Sequence, residues 1–368
     1  MSFPNFTRDS RLLLIAPHPD DESLACSVVL QRAVRSGAAV RVIYATDGED
    51  NPWPQRFLNR KWRLDNDDRL RWGKIRRTEA LAALQVLGVP NRSARFLALP
   101  DQKLTSCLLR GCQPILGRLV NMVTEWQPTI LMVPSVCDTH PDHNALAVIS
   151  RFALNELTPS GNRISAWSYV VHGRSRVFFD RALAVRSSHS ETLVKMNAIC
   201  CHKTQLSLSK KRFLAFAERP EHFCDIALSD DCAVDGSIAG ISREPGFLRI
   251  VFSSRDLRSK SPQFLICGHG KQGGVLGASL KLPARSSPVE LFGCRATAGL
   301  GVGQYRGDRF EGELIVPIDM FSSADSLFIK LERRRWFFDE AGWTAVAPCR
   351  PHVAKTGDPI IEQPLAIR

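Results

Sequence analysis

The sequence lacks the features that would mark a membrane or secreted protein. None of its apolar runs approaches the roughly 20 residues that a membrane-spanning helix needs. Its N-terminal stretch, MSFPNFTRDSRLLLIA, has no signal-peptide pattern, because the apolar run is short and leads directly into an acidic loop. We therefore expect an intracellular protein that works in the cytoplasm.

Cysteine pairs with metal-binding spacing are also absent. The eleven cysteines are scattered and odd in number, and no C-x-x-C pair occurs among them. Zinc-ribbon and zinc-finger folds, which need such pairs, are thereby excluded. We expect most of these cysteines to be buried, reduced and small apolar residues of the core.

Nucleotide-binding glycine motifs are missing, although glycine is frequent towards the C-terminus. The stretch GLGVGQYRG does not fit G-x-G-x-x-G and is not followed by a helical pattern, and GHGKQGG lacks the Walker spacing. These glycines are interpreted as turn residues, so the sequence disfavours dinucleotide binding.

Positive charge is in excess, with a formal net charge of +12 at pH 7. A dense basic patch runs from Arg56 to Arg77 and contains Trp62 and Trp72, with Trp53 just upstream. Two interpretations stay open, a solvated helix face with a loop and a rim that binds an anionic substrate. Because no recognition motif accompanies the charge, we expect no nucleic-acid partner.

Strand and helix patterns alternate over residues 1–224. RLLLIA and AVRVIYAT are short apolar strands, and the segment between them has helical spacing that ends at Gly37. Strand, helix and strand in this order form a right-handed parallel unit. The prediction is an α/β domain at residues 1–224, a Rossmann-like three-layer α/β/α sandwich with a mostly parallel sheet.

The pattern changes from about Cys224 onwards. Glycine becomes frequent, and short alternating runs such as FLRIVFSS and ELIVPIDMF replace the helical spacing. We predict a smaller all-β, sandwich-like accessory domain at residues 225–368. Its sequence does not indicate a role.

Two loops rich in histidine and aspartate follow predicted strands. LIAPHPDDE leaves the first strand, and PSVCDTHPDH leaves the strand TILMVP. Because ligands of open parallel sheets bind at the carboxyl ends of the strands, we expect these loops to face each other. Helix capping by Asp20, Asp21 or Ser23 would explain one carboxylate but not the second cluster.

The residue types in these loops suit a catalytic divalent metal. Zinc takes imidazole and carboxylate ligands and keeps a position open for water, whose proton a nearby carboxylate must accept. The candidates for these roles are His18, Asp20, Asp21, His140, Asp142 and His143. Spacing alone leaves open whether Asp20 or Asp21 is the ligand. A non-haem iron oxygenase is a weaker interpretation, because such sites usually hold a close H-x-D pair on a β scaffold.

These motifs resemble those of the LmbE-like, or PIG-L, family of zinc-dependent N-acetylglucosaminyl de-N-acetylases. The resemblance rests on APHPDDE and HPDH and extends over roughly Arg11 to Phe223. Supporting segments are RRTEALAALQVLGV, LPDQKL and KMNAICCHKTQL. In these segments the matched positions are Arg76, Glu79, Asp101, Lys195, His202 and Gln205, with Thr204 in place of the family's serine.

The resemblance implies a role for each matched residue. His18, Asp21 and His143 would bind zinc, Asp20 would be the general base, and His140 would polarise the substrate or act as the acid. Substrate-binding roles are expected for Arg76, Asp101 and Asp138. Asp138 stands where one branch of the family carries a catalytic tyrosine, so it is also a candidate for orienting a histidine. Asp142 is expected to stand behind the ligands and to orient His140 or another group of the site.

The implied function is hydrolysis of an N-acetyl group on an N-acetylglucosamine-type sugar. The basic patch suggests an anionic glycoconjugate, linked to a lipid or a polysaccharide, and allows peripheral contact with an anionic membrane. Zinc is the expected ion, and other divalent metals are allowed. The alternatives are a metal-dependent amidase that acts on a larger acyl group and a non-enzymatic carbohydrate-binding protein.

Overall fold

The computed structural model describes residues 3–157, 164–173, 175–229, 237–253, 262–270, 274–294, 299–308, 310–332, 334–335, 337–339 and 341–347. These residues form a seven-stranded sheet, a nine-stranded sheet and a two-stranded ribbon. The seven-stranded sheet belongs to the N-terminal part of the chain, and the nine-stranded sheet to the C-terminal part.

The N-terminal sheet is mostly parallel, as predicted. Its strands are β1 Arg11–Ala16, β2 Ala39–Thr46, β3 Ala94–Leu99, β4 Ile130–Pro134, β5 Ser165–Tyr169, β6 Leu183–Val185 and β7 Glu221–Asp225. The order is β3-β2-β1-β4-β5-β7-β6, in which the first five strands are parallel and β7 runs antiparallel to both neighbours. Residues 12–16 of β1 are all buried, as expected for a strand covered on both faces.

Helices cover both faces of this sheet. They are α1 Asp21–Ala25, α2 Ser27–Arg35, α3 Pro52–Asn59, α4 Asn66–Val86, α5 Leu104–Leu109, α6 Gln113–Trp126, α7 Pro141–Leu157, α8 Arg176–Arg181, α9 His189–Cys201, α10 Lys203–Leu214 and α11 Ile226–Ser229. One apolar cluster joins the sheet to α2, α4 and α9, and a second joins its other face to α5, α6 and α7. The result is the predicted three-layer α/β/α sandwich. No helix among the described residues is both long and apolar enough to cross a bilayer.

The sheet order brings the two histidine-rich loops together. β1 lies beside β4, with Leu13 in register with Leu131, so the loops that leave both strands emerge at the same edge. α1 begins directly after the first loop, and α7 begins inside the second. The helix that the sequence predicted after β1 is broken at Cys26, whose φ of −132° separates α1 from α2.

The C-terminal part is all antiparallel. Its strands are β8 Ile238–Glu244, β9 Phe247–Ser253, β10 Gln263–Gly270, β11 Gly274–Lys281, β12 Arg285–Gly293, β13 Gly299–Asp308, β14 Glu311–Pro317, β15 Ala324–Glu332, β16 Arg334–Arg335, β17 Phe338–Asp339 and β18 Thr344–Val346. Nine of them form one continuous sheet in the order β18-β15-β10-β11-β12-β13-β14-β9-β8, while β16 pairs with β17. The all-β character is as predicted, but the strands form one continuous sheet around an apolar core, whereas the predicted sandwich would have two separate sheets.

The outer face of this β sheet packs on the α/β part. Leu265, Cys267, Val275 and Phe328 belong to the same apolar cluster as α5, α6 and α7. The backbones approach closely, because a Cβ added at Gly277 would lie 2.1 Å from the carbonyl oxygen of Leu109. The predicted domain boundary at residues 224 and 225 falls within β7, and β8 begins at residue 238.

A buried ion pair of the C-terminal part contacts the α/β part through Asn144. The Lys330 ammonium is fully buried, donates to Asn144 Oδ1 at 3.1 Å and pairs with the Asp339 carboxylate. In the Lys330→Met variant that carboxylate stays buried without its cation, so we expect a loss of roughly 3–5 kcal/mol in the free energy of unfolding. Urea denaturation measures this loss, and the exposed Lys281→Met variant is the control, expected to change stability by less than about 0.5 kcal/mol. Equal stabilities of the two variants would contradict the prediction.

Candidate active site

The first loop holds its side chains by local hydrogen bonds. The His18 backbone N–H donates to Asp21 Oδ2 at 2.9 Å, and the Asp20 N–H donates to Glu22 Oε2 at 3.0 Å. Asp20 adopts a φ of 139°, in a region that residues with a side chain rarely occupy. Such strain persists only where surrounding contacts enforce it, and it clusters at functional sites.

Three donor atoms from the two loops form a triangle. His18 Nδ1 lies 3.1 Å from His143 Nε2, and Asp21 Oδ2 lies 3.3 Å from each of these nitrogens. In a tetrahedral site with bonds of roughly 2.0–2.1 Å, neighbouring ligand atoms are about 3.3 Å apart. The triangle therefore has the dimensions of three ligands of one small divalent cation.

The other ring nitrogens of both histidines face carboxylates. His143 Nδ1 lies 3.1 Å from Asp138 Oδ2, and His18 Nε2 lies 3.2 Å from Asp101 Oδ1 and 3.4 Å from Asp142 Oδ2. Metal-binding histidines are usually oriented in this way, because the outer hydrogen bond selects the tautomer that leaves the inner nitrogen free. The donor set thus fits zinc or another divalent ion that accepts nitrogen and oxygen ligands.

The electrostatics of the triangle favour positive charge. Burial opposes the charged form of His143, but the carboxylates of Asp21 and Asp138 outweigh it and raise its pKa to about 10. Burial likewise opposes the charged form of His18, while the carboxylates of Asp101, Asp142 and Asp21 raise its pKa well above the usual value. The pKa of Asp21 is lowered, because the charge and hydrogen bond of His143 exceed the effect of burial. Protonation of both histidines, or one bound divalent metal ion, would supply the positive charge that these carboxylates favour.

Asp20 stands beside the triangle without belonging to it. Its Oδ2 accepts from Arg76 Nη2 at 3.0 Å, and its side chain lines the pocket. Burial raises its pKa to about 6, although the guanidinium of Arg76 opposes this rise. The carboxylate is therefore held in place and faces the cavity, as a proton acceptor needs to be.

His140 also lines the pocket. The Asp142 backbone N–H donates to His140 Nδ1 at 3.3 Å, which favours the tautomer with its proton on Nε2, and that nitrogen lies 3.4 Å from the amide nitrogen of Gln102. Burial, reinforced by His143 and His18, holds the pKa of His140 well below its usual value. A neutral imidazole with an N–H at the pocket can donate a hydrogen bond to a developing oxyanion.

The remaining predicted residues surround these groups. Asp101 lines the pocket and accepts from the Asp50 N–H at 2.8 Å. Asp142 is fully buried and bridges His18 to the N–H groups of Gln102 and Leu104, at 2.7 and 3.1 Å.

Arg76 lines the pocket and also supports the loops around it. Its guanidinium donates to the carbonyls of Gly48, at 2.9 Å, and Pro19, at 2.6 Å. Gly48 has a φ of +64°, and a Cβ there would lie 1.6 Å from Arg76 Nη1. Arg76 therefore depends on the glycine for its position, while a contact with substrate stays a prediction.

Asp138 lies behind the histidines and does not line the pocket. Its Oδ1 accepts from the His140 N–H at 2.9 Å, and its Oδ2 accepts from the Val171 and His172 N–H groups at 2.9 and 3.1 Å. The carboxylate is fully buried, so these contacts favour the orienting role over direct contact with substrate.

The sequence analysis missed His172. Its ring lies 5.3 Å from that of His143 and 6.0 Å from that of His140, and it lines the pocket. Its ring also lies close enough to Asp21 and His143 to form a second candidate ligand group with them. Its position in the sequence could have indicated it, because His172 follows β5 at the same edge of the sheet as the other two loops.

The other motif residues make structural contacts. Lys195 is fully buried and pairs with Glu221 at 2.9 Å, and Glu221 accepts from the Val28 N–H in the first turn of α2. Glu79 accepts from the Thr204 N–H at 2.9 Å and from the Thr204 hydroxyl at 2.5 Å, and serine and threonine both carry such a hydroxyl. His202 Nε2 lies 3.0 Å from Glu22 Oε1. Gln205 reaches the pocket lining as well.

The basic patch is partly neutralised. Five of its cations form ion pairs, and these are Lys61, Arg69, Arg71, Arg76 and Arg77. Arg60 and Arg63 form none within the described part of the chain. Arg56 lies over the rings of Trp53 and Trp62, at 5.3 and 5.0 Å from their centroids. Trp53 lines the pocket, so the patch is continuous with its mouth.

Comparison with known proteins identifies relatives of the region that holds both loops. Residues 13–154 match the profile of the PIG-L family, described as GlcNAc-PI de-N-acetylase. A 1D-myo-inositol 2-acetamido-2-deoxy-alpha-D-glucopyranoside deacetylase of Streptomyces avermitilis is 33% identical over 150 residues, 37% of this chain and 49% of that protein. The protein of the same name from Mycobacterium avium is 29% identical over 148 residues, 36% and 47% of the two chains. The chain thus spans about half the length of these curated relatives.

Solved structures show weaker similarity. The zinc-inhibited form of teicoplanin deacetylase is 20% identical, with a TM-score of 0.45 over 58% of this chain and 97% of that one. The N,N'-diacetylchitobiose deacetylase of Pyrococcus horikoshii is 17% identical, with a TM-score of 0.44 over 58% and 82%. The sequence match is the more informative, because it contains His18, Asp20, Asp21, His140 and His143. Residues 13–154 of this chain are therefore similar to the PIG-L, or LmbE-like, family over the region that holds both loops.

Proposed function

We propose that the protein is a zinc-dependent hydrolase that removes the N-acetyl group from an N-acetylglucosamine-type sugar within a glycoconjugate. The observation that carries the proposal is the triangle of His18 Nδ1, Asp21 Oδ2 and His143 Nε2, which stands next to Asp20 and His140 in one pocket. The family match and the names of the curated relatives support the same reaction class.

His18, Asp21 and His143 would hold the ion. Once bound, the ion would polarise the acetamide carbonyl and acidify a water molecule. Asp20 accepts a proton from that water while the water oxygen bonds to the carbonyl carbon. Arg76 holds the Asp20 carboxylate in place through its ion pair. His140 donates its Nε2 proton as a hydrogen bond to the carbonyl oxygen, which becomes negative. Asp20 then returns the proton to the nitrogen as the C–N bond breaks, which leaves acetate and a free amine.

Turnover of defined conjugates tests the proposal. Protein loaded with zinc, manganese or cobalt is incubated with N-acetylglucosamine linked to inositol, to phosphatidylinositol and to a second N-acetylglucosamine, and acetate and amine are measured. We expect equal amounts of both products, and none after the metal is removed by a chelator. Release of longer acyl groups with no release of acetate would favour the amidase alternative. Binding of the sugars without any turnover would favour a carbohydrate-binding protein.

The basic patch suggests an anionic substrate. Arg60 and Arg63 lie in the basic patch without an acidic partner among the described residues. We expect the Arg60→Ala/Arg63→Ala variant to raise KM for a phosphorylated conjugate by roughly two- to thirtyfold, because exposed pairs contribute about 0.2–1 kcal/mol each. A neutral conjugate should be hydrolysed as before. Steady-state kinetics at low and high salt measure both effects, and Arg92→Ala, outside the patch, is the control. An unchanged KM for the phosphorylated conjugate would contradict the anionic preference.

Two further features of the proposal concern location and partners. The nine described cysteines are all free thiols, which suits the cytoplasm. The exposed Trp62, beside the arginines of the patch, suits peripheral contact with an anionic membrane or a lipid-linked substrate.

A further inference from the structure

The β domain contributes side chains to the active-site pocket. Phe337 and Phe338, at the β16–β17 ribbon, both line it. The Phe338 ring lies 5.8 Å from the ring of His140 and 5.1 Å from that of His172, with both pairs edge to face. The Arg212 guanidinium of α10 lies 5.8 Å from the same ring. A residue almost 200 positions after His140 thus forms part of the wall beside it.

The ribbon is attached to the loop that carries His140. The Asp339 N–H donates to the Thr139 carbonyl at 2.7 Å, and its side chain accepts from Asn144 Nδ2 at 3.2 Å and from Lys330. Further along, the Trp343 N–H donates to the Val136 carbonyl at 2.8 Å. The position of Phe338 is therefore set by contacts on both sides of the histidine segment, which is what a substrate-contacting wall requires.

The pocket changes character from its floor to its mouth. The floor is buried and polar, with His18, Asp20 and Asp21 each less than a tenth exposed. Above the floor the lining is mixed, with polar side chains that include Gln102, Gln205 and Arg212. Its larger apolar side chains are Trp53, Leu208, Phe213, Phe216, Phe337 and Phe338, of which Trp53 and Leu208 are more than two-fifths exposed. When the acetamide of a substrate lies at the floor, the rest of the substrate lies against these apolar side chains.

We propose that Phe338 is a specificity-determining residue, which selects conjugates whose sugar carries an apolar group at the anomeric position. The inference rests on the proposed function, since it assumes that the acetamide is directed to the floor of the pocket. The β domain is then a part of the active site and not an appended module. Loss of the ring should weaken binding of the apolar group without altering the groups that act on the acetamide.

Paired substrates test this inference. The methyl and hexyl glycosides of N-acetylglucosamine differ only in the apolar group, and kcat/KM is measured for both with the wild-type protein and with Phe338→Ala. We expect the wild type to prefer the hexyl glycoside by roughly tenfold or more, and the variant to lose most of this preference through KM. Phe338→Leu should retain part of it. The matched control is Phe292→Ala on β12, an exposed phenylalanine of the β domain that does not line the pocket.

The outcomes separate the inference from the proposed function. Equal use of both glycosides by the wild type, or a preference that survives in Phe338→Ala, would overturn the role of Phe338 and leave the deacetylase proposal intact. If the wild type releases acetate from neither glycoside and from none of the inositol, phosphatidylinositol and disaccharide conjugates, the proposed function fails. Calorimetric binding of the same two glycosides to wild type, Phe338→Ala and Phe292→Ala then decides the inference, with a hexyl preference lost only in Phe338→Ala as the supporting result.

Discussion

The His143→Ala variant is expected to lose both the divalent metal and the deacetylase activity that we propose for the protein. His143 Nε2 is one corner of the donor triangle, and without it two protein ligands, His18 and Asp21, stay in place. Loss of an outer partner of a metal ligand typically costs about 10–100-fold in metal affinity or activity, so loss of a ligand itself should cost more. Metal content after dialysis and acetate release measure the two losses separately.

The control for this variant is another histidine. His189, at the start of α9, is exposed, and His189→Ala should keep full metal content and activity. Because His143 is fully buried, circular dichroism must show that the variant is folded. Should it unfold, Asp138→Asn offers a milder test, with an expected loss of about 10–100-fold in metal affinity. Stoichiometric metal in a folded His143→Ala protein would remove this residue from the ligand set.

The Asp20→Asn variant is expected to keep its metal and lose catalysis. The amide has nearly the shape of the carboxylate but cannot accept the proton of the attacking water. General-base catalysis typically contributes about 10²–10⁴-fold, and we expect kcat to fall by this factor while metal content stays at the wild-type level. Because Asp20 lies outside the triangle, this combination distinguishes it from Asp21, for which the same substitution should release the ion.

The matched control is an aspartate without a place in the pocket. Asp67, in the first turn of α4, is exposed, and Asp67→Asn should leave both metal content and kcat unchanged. Wild-type turnover by a metal-loaded Asp20→Asn protein would show that another group accepts the proton. Loss of the ion from this variant would instead make Asp20 a ligand and would reverse the two aspartate assignments.

Local patterns in the sequence predicted the parallel sheet closely. The strands predicted from RLLLIA and AVRVIYAT coincide with β1 and β2, because runs of buried apolar residues flanked by helical spacing have few other interpretations. The helix after β1 ends as predicted, at Gly37 with a φ of +81°. Its break at Cys26 was missed, because the residues on both sides are buried and carry the same apolar signal.

The meeting of the two loops was predictable by a general rule of parallel sheets. The same rule applies to β5 and could have led to His172, which follows that strand without any accompanying motif. Other contacts had no such signal. Asp142 accepts hydrogen bonds from the N–H groups of Gln102 and Leu104. Arg76 donates hydrogen bonds to the carbonyls of Gly48 and Pro19. Both sets of contacts depend on the backbone conformation of the loops.

The sequence by itself determined the α/β fold, the edge of the sheet at which the site lies, and the residue types that meet there. These properties follow from apolar periodicity and from short motifs, which are local. Only the tertiary structure decided which atoms of the site face one another. It also decided that Phe338 of the β domain lies beside His140 and that Lys330 pairs with Asp339 next to it. Contacts between residues nearly 200 positions apart depend on the packing of two sheets through a shared apolar core, and no periodic pattern in the chain encodes them.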